Sequence, residues 1–362
     1  LRFGWVVGNV GLVGALLIVT ISTSITFLTA LSISQIATDQ RVRVGGAYYM
    51  ISRSLGIETG GAVGIPLFFA QALSVALYTI GFAESVKNVF PQVDERLVGL
   101  LTTVAVALLA LKSARAAIRA QYFIMGAIGL SLVSFFLGSS VGPPDTVTVP
   151  LGDIPQEDFW VVFAVFFPAV TGIMAGVNMS GDLKEPGKAI PKGTLAAVGV
   201  GYLIYMILPL FLAMRADQAQ LIQEPLIMRR MSLWGDAIIL GVWGATLSSA
   251  VGSIMGAPRV LQALARDGVL PASLRWLGRG SGPEDTPRAG TAVTLGIALG
   301  AVALGNLNLI APVLTMFVLT TYGVLNVAAG LERLLGSPSF RPRFRVPWYL
   351  SALGAVGCAS VM

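Results

Sequence analysis

The sequence contains no histidine and only one cysteine, Cys358, in a chain of 362 residues. The absence of histidine excludes imidazole metal sites and histidine proton relays. One cysteine can form neither a disulfide framework nor a thiolate metal site within the chain. Charged residues are also scarce, at 12% of the chain, whereas 55% of the residues are hydrophobic. This composition lies outside the range of soluble domains and indicates an integral membrane protein.

Counting membrane spans at roughly 20 residues each, we predict ten apolar runs that cross the bilayer as helices. Residues 1–8 are predicted to be the tail of a further helix, and the last run reaches the end of the chain, so we expect a fragment of a longer protein. The predicted spans lie at about 11–36, 60–83, 97–111, 121–140, 158–181, 194–214, 236–257, 290–304, 309–331 and 347–362.

The distribution of lysine and arginine predicts which loops are cytoplasmic. The loops that follow the odd-numbered spans hold 18 basic residues, and the opposite loops hold five. By the positive-inside rule, the first set is cytoplasmic. The net charge of +6 therefore does not predict nucleic-acid binding, and the protein is expected in the cell membrane as a multi-pass protein.

The span at 158–181 is interrupted by residues that break helices. Pro168, Thr171, Gly172 and Gly176 divide it into two short apolar pieces. Such a break leaves backbone N–H and C=O groups unpaired, and lipid cannot satisfy them. An ion, a water-filled cavity or a small substrate between the two half-helix ends would satisfy them. The alternative is a proline kink in an ordinary span that neighbouring hydroxyl groups repair.

The predicted cytoplasmic loop that contains Arg41 to Gly56 has the pattern of an amphipathic helix. Apolar side chains from Ala47 to Leu55 fall on one face, and Ser52, Arg53 and Ser54 fall on the other. We expect this helix to lie at the membrane interface. A surface helix without a role in transport is the alternative.

Three motifs resemble the cation-chloride cotransporters, a branch of the amino acid-polyamine-organocation superfamily. They are GGAYYMISRSLG at 45–56, FFPAVTGIMAGVNMSGDLKEPGKAIPKGT at 166–194 and ATLSSAVGSIMGAPRVLQALARDG at 245–268. The resemblance covers the whole chain, 1–362, as one transporter domain. It implies an all-α polytopic membrane protein with two inverted five-helix repeats of the LeuT type, with broken first and sixth helices. The repeats would span about 1–140 and 157–332, and 347–362 would begin the eleventh helix; the chain would be truncated at both ends.

The resemblance also implies two cation sites. In the sodium-potassium-chloride cotransporters, potassium contacts a tyrosine, a proline carbonyl and a threonine, which match Tyr78, Pro168 and Thr171. Sodium contacts an alanine carbonyl and two serine hydroxyl groups on the eighth helix, and these match Ala245, Ser248 and Ser249. Neutral oxygens suit a weakly hydrated cation. The alternatives are a tyrosine bonded to a neighbouring carbonyl and serines that only pack at a helix crossing.

Chloride requires hydrogen-bond donors rather than oxygens. The backbone amides of Gly172, Ile173 and Met174 open the second half-helix, where the positive end of the helix dipole lies. The resemblance adds Tyr322 on the tenth helix to this site. A second chloride site of the family is built on a part of the first helix that this chain does not include.

The sequence therefore predicts a secondary active symporter and does not predict an enzyme. It would couple chloride to potassium, and through the serine pair to sodium, electroneutrally and by alternating access. No resident cofactor is expected, because K⁺, Na⁺ and Cl⁻ are cargo. The expected partners are these ions and the lipid bilayer, with a homodimer left open. An amino-acid permease of the same superfamily and a transport-inactive membrane scaffold are the alternatives.

Overall fold

The computed structural model describes residues 2–39, 45–112, 114–141, 156–178, 183, 185–282, 285–305, 307–336 and 340–362. Within these ranges the regular secondary structure is helical, apart from one isolated bridge between Ser281 and Thr286. The helices are α1 (Phe3–Asp39), α2 (Ala47–Leu55), α3 (Ile57–Val89), α4 (Glu95–Lys112), α5 (Ala114–Phe136), α6 (Phe159–Phe166), α7 (Ile173–Asn178), α8 (Pro186–Arg215), α9 (Gln218–Gln223), α10 (Ile227–Met231), α11 (Gly235–Arg266), α12 (Arg288–Leu304), α13 (Leu307–Leu335) and α14 (Trp348–Ser360).

Each of the ten predicted spans coincides with a helix or, in one place, with a helix pair. In the described part of the chain, six helical segments are long and apolar enough to cross a membrane: Phe3–Asp39, Ile57–Val89, Arg119–Phe136, Pro186–Arg215, Gly235–Arg266 and Ile310–Leu335. Shorter apolar helices occupy Phe159–Val170 and Arg288–Leu304. The predicted fold class, an all-α polytopic membrane protein, is confirmed. The division into two repeats stays a prediction.

The predicted tail at residues 1–8 and the first full span join at Gly11. Helix α1 runs through both, but Gly11 has φ 68° and ψ 178°. This positive φ is readily adopted only by glycine. The sequence predicts two separate helices here, and the structure shows that one sharply kinked residue connects them.

The break predicted in the span at 158–181 is present. Helix α6 ends at Phe166, a short 3₁₀ helix covers Phe167–Val170, and α7 begins at Ile173. Asp158 caps the start of α6, because its carboxylate accepts a hydrogen bond of 2.8 Å from the Trp160 amide. Two residues, Thr171 and Gly172, therefore separate the two halves of this span near its middle.

Helix α2 confirms the predicted helix but corrects its surroundings. Tyr48, Met50 and Ile51 are fully buried, and Ser52, predicted on the polar face, is also buried. Tyr48 donates a hydrogen bond of 2.8 Å to the Asp267 carboxylate at the end of α11. Burial and this carboxylate both raise the pKa of Tyr48, so the phenol stays protonated. Protein covers the apolar face of α2, and residues 41–44 of the predicted stretch lie outside the described residues.

The long helices α1, α3, α11 and α13 form the centre of the protein. Helix α3 packs against α11 and α13, and α1 packs against α8 and α13. A buried polar network fixes α13 in this arrangement. The Asn326 side chain donates to the Thr29 hydroxyl and to the Tyr322 carbonyl, at 2.8 and 2.9 Å, and it accepts from Ser32 at 2.7 Å. The register of α13 against α1 is therefore set by hydrogen bonds as well as by packing.

Candidate functional site

A cavity of about 460 Å³ lies where the broken span faces α3, α11 and α13. Seven of the ten predicted site residues line it: Tyr78, Thr171, Gly172, Met174, Ser248, Ser249 and Tyr322. Pro168, Ile173 and Ala245 do not. We call this space the main cavity. Residues far apart in the sequence thus meet at one place, beside the unpaired backbone of the helix break.

The predicted potassium ligands are arranged in two different ways. The Tyr78 hydroxyl faces the main cavity, and no described residue hydrogen-bonds to it. In contrast, the Pro168 carbonyl already accepts a hydrogen bond of 2.9 Å from the Thr171 hydroxyl and one of 3.4 Å from the Thr171 amide. In this conformation the Thr171 hydroxyl is hydrogen-bonded to the carbonyl oxygen that the family resemblance gives to potassium. Coordination by Pro168 would require the Thr171 hydroxyl to rotate away.

The predicted chloride donors are partly free. Among the described residues, no backbone carbonyl accepts a hydrogen bond from the amides of Gly172 or Ile173. The Met174 amide makes only a long contact of 3.5 Å to the Thr171 carbonyl. The buried Tyr322 hydroxyl donates to that same carbonyl at 3.0 Å. Tyr322 therefore holds the end of the first half-helix and would have to redirect its hydroxyl to bind an anion.

A second, smaller cavity of about 180 Å³ borders the same break. Gly172 lines both cavities, whereas Ile173 lines only the smaller one. The Tyr205 hydroxyl donates to the Ala169 carbonyl at 3.3 Å and also borders this smaller cavity. Gly172 therefore borders both the main cavity and this smaller cavity.

The predicted sodium ligands lie on one uninterrupted helix. Ser248 and Ser249 face the main cavity, and the Ser248 hydroxyl donates to the Gln121 side chain on α5. Helix α11 is continuous through Ala245, so nothing bends the Ala245 carbonyl away from its position within the helix. The sodium site stays a prediction, and the carbonyl is placed less favourably than the resemblance implies.

Several other cavity residues were missed by the sequence analysis. Gln71, Ser74, Gln121, Ser253 and Thr321 all bring polar side chains to the main cavity. The sequence does contain a pattern that indicates two of these residues. Gln71 and Ser74 precede Tyr78 by seven and four residues, so they share its face of a helix. The positions of Gln121 and Ser253 depend on which helices pack together, and no sequence pattern gives that.

The main cavity has no fixed charge among the residues that the structure describes. Its lining consists of amides, hydroxyl groups, apolar side chains and backbone. Such a surface can coordinate ions through dipoles, but it cannot neutralise a single bound ion by itself. The arrangement therefore suits cargo in which positive and negative ions balance each other.

Comparison with known proteins gives the family of this chain. The family profile described as "Amino acid permease" matches residues 1–355. The chain belongs to the amino acid permease family. The chain is also similar to proteins named solute carrier family 12 member 2, at 34% identity for the one from Squalus acanthias and 33% for the one from Homo sapiens. It is 32% identical to solute carrier family 12 member 1 from Mus musculus.

These similarities cover 100% of this chain but only 36%, 35% and 39% of the three relatives, respectively. The chain thus spans little more than a third of their length. The resemblance to the cation-chloride cotransporters that the motifs carry is confirmed. The location as a multi-pass protein of the cell membrane is confirmed as well. The individual ion-site residues stay predictions.

Proposed function

We propose that this chain is the transport domain of a secondary active symporter that moves chloride together with potassium and sodium. The observation that carries this proposal is the uncharged main cavity at the break between α6 and α7. There Tyr78, Ser248, Ser249 and Gly172, whose backbone amide has no partner among the described carbonyl groups, border one space. Oxygens for cations and N–H donors for an anion occur side by side.

The cation side of this mechanism uses neutral oxygens. Tyr78 and Thr171 would coordinate potassium, and Ser248 and Ser249 would coordinate sodium. Pro168 and Ala245 would join them through their carbonyl groups once the local hydrogen bonds rearrange. Each ion would exchange hydration water for protein oxygens. No carboxylate takes part, so each bound cation needs an anion nearby.

Chloride would supply that counter-charge. The amides of Gly172 and Ile173 lie at the start of the second half-helix, where the helix dipole favours an anion. Met174 and the Tyr322 hydroxyl would complete the site. Cations and anions that enter together cancel each other's charge, which makes the cycle electroneutral. Opening of the main cavity to alternate sides of the membrane would then carry the ions across.

An amino-acid permease is the second candidate, because the matching family profile carries that name. A cavity of about 460 Å³ is also large enough for a small amino acid. Its carboxylate would use the same amides, but its ammonium group would meet only hydroxyl groups and amides. The paired serines beside Tyr78 favour inorganic cations.

Ion-replacement flux measurements with the full-length protein in proteoliposomes test the proposal. We expect chloride uptake that requires both potassium and sodium and that is unaffected by added amino acids. Chloride uptake that continues when potassium is replaced by an impermeant cation would contradict the symport. Saturable uptake of a labelled amino acid without chloride dependence would favour the second candidate.

A further inference from the structure

Three polar side chains form a stripe on the face of α3 that borders the main cavity. Gln71, Ser74 and Tyr78 are spaced by three and four residues, so they share one face of the helix. Gln71 and Ser74 are each only 8% exposed. No described residue hydrogen-bonds to the side chain of either. Their polar atoms are not among the fully enclosed atoms without a partner, so they open onto the main cavity, where water or an ion can bind them.

A second stripe lies opposite, on α11. Ser249 and Ser253 are one turn apart and both line the main cavity, and Ser253 is only 6% exposed. No described residue hydrogen-bonds to the Ser253 hydroxyl. One turn further along, a Cβ atom at Gly256 would lie 3.7 Å from the Gln71 Oε1 atom. The carbonyl oxygen of Gln71 therefore approaches α11 about one turn beyond Ser253, and both residues line the main cavity.

Both stripes extend from the predicted ion sites towards the same side of the membrane. Gln71 precedes Tyr78 by seven residues, which places it roughly 10 Å nearer the start of α3. Ser253 follows Ser249 by four residues, which places it roughly 6 Å nearer the end of α11. The start of α3 and the end of α11 both adjoin loops that are predicted to be cytoplasmic. Gln71, Ser74 and Ser253 thus lie on the cytoplasmic side of Tyr78 and Ser249.

We infer that Gln71, Ser74 and Ser253 form an inner station that binds a partly hydrated alkali cation on the cytoplasmic side of the Tyr78 level. This inference rests on the proposed function, because it assigns a further site to the same cargo. Two hydroxyl groups and one amide oxygen offer neutral ligands, and Gly252, which has no side chain, lines the cavity as well. A site with only three neutral ligands holds a cation weakly enough to release it.

The inner station predicts effects that differ between the two sides of the membrane. The experiment uses the full-length protein reconstituted in one orientation, with rubidium as the potassium tracer. Gln71→Leu and Ser253→Ala should each raise the half-saturating rubidium concentration on the cytoplasmic face about three- to ten-fold, as expected for one lost ligand. The half-saturating concentration on the outer face should stay close to that of the unmutated protein. Gln71→Glu should lower the cytoplasmic value and slow turnover, because a carboxylate retains the cation.

Ser85→Ala is the matched control. Ser85 lies on the same helix and is buried, but its hydroxyl donates to the Phe82 carbonyl at 2.6 Å and does not line the main cavity. This variant should leave both half-saturating concentrations unchanged. Equal shifts on the two faces in Gln71→Leu, or no shift on either, would overturn the inner station. A shift for chloride alone would overturn it too, because the amide would then act as an anion donor.

The same data separate this inference from the proposed function. If the unmutated protein shows no rubidium-dependent chloride flux, the symport itself is wrong. If the unmutated protein shows that flux and the variants lack the one-sided shift, only the inner station is wrong.

Discussion

The hydroxyl of Tyr322 on α13 donates a hydrogen bond of 3.0 Å to the backbone carbonyl of Thr171, the residue at which the broken span is interrupted. Tyr322 is fully buried, and its backbone carbonyl in turn accepts a hydrogen bond from Asn326. Through this pair, α13 satisfies one of the carbonyl groups that the helix break leaves without a helical partner. The same hydroxyl is the one that the family resemblance gives to chloride.

We expect Tyr322→Phe to raise the chloride concentration for half-maximal flux about three- to ten-fold, because a donor to the anion is lost. The Thr171 carbonyl would also lose its shorter hydrogen bond and keep only the 3.5 Å contact from the Met174 amide, which should lower the thermal stability of the purified protein. Chloride titration of flux in proteoliposomes measures the first effect.

Tyr205→Phe is a matched control for this variant. Tyr205 also donates to a carbonyl of the broken span, that of Ala169, but it borders the smaller cavity instead of the main one. Its loss should leave the half-maximal chloride concentration unchanged. Equal chloride shifts in both variants would mean that Tyr322 acts only by holding the backbone.

Gly172→Val should abolish flux and leave the abundance of folded protein unchanged. A Cβ atom at Gly172 would meet no other atom within 4 Å, so a side chain can start there without a clash. The valine side chain would project into the open space beside the free amides instead of clashing with a neighbour. Size-exclusion profiles and flux measured on the same preparation separate the two effects.

The control for that variant is Gly199→Val on α8. A Cβ atom at Gly199 would also meet nothing within 4 Å, and Gly199 lines neither cavity at the break. Normal transport by Gly172→Val would show that the break is a packing kink and that the anion site lies elsewhere.

Tyr78→Phe should weaken the apparent affinity for potassium about three- to ten-fold, because one oxygen ligand is removed. The Tyr78 hydroxyl has no partner among the described residues, so its loss leaves no protein group unpaired. Stability should therefore change little, and rubidium titration of chloride uptake gives the affinity. An apparent rubidium affinity equal to that of the unmutated protein would remove Tyr78 from the site.

The double variant Ser248→Ala with Ser249→Ala should lose the sodium requirement for chloride uptake, or lose uptake entirely. Single variants add information, because Ser248 donates to Gln121 whereas Ser249 has no partner in the described part of the chain. We expect Ser249→Ala to affect sodium affinity without affecting stability. Equal chloride uptake by the unmutated protein with and without sodium would refute the sodium site.

The sequence predicts the helices and the helix break well because these depend on local chemistry. A proline and two glycines within nine residues interrupt a membrane helix wherever it packs. Contacts between distant segments are harder to predict. The proximity of Gln71 to Gly256 depends on the packing of α3 against α11. Neither helix has a sequence pattern that predicts this contact with the other.

Two differences between expectation and structure have the same physical origin. Helical periodicity indicates that α2 has an apolar face, but it does not indicate whether lipid or protein covers that face. Likewise, the motif around Pro168 indicates a carbonyl that the break leaves available, but it does not indicate that the Thr171 hydroxyl binds it first. Local sequence gives the available groups, and tertiary structure decides which partner each one has.

The uncharged lining of the main cavity has a consequence for the behaviour of the protein in an electric field. Moving one elementary charge across 100 mV changes the energy by about 2.3 kcal/mol. If the proposed cargo of balanced ions fills this cavity, whose described lining has no fixed charge, no net charge moves through the field when the cavity reorients. The turnover rate should then be the same in a strongly polarised membrane and in a depolarised one, so that ion gradients alone set the direction of transport.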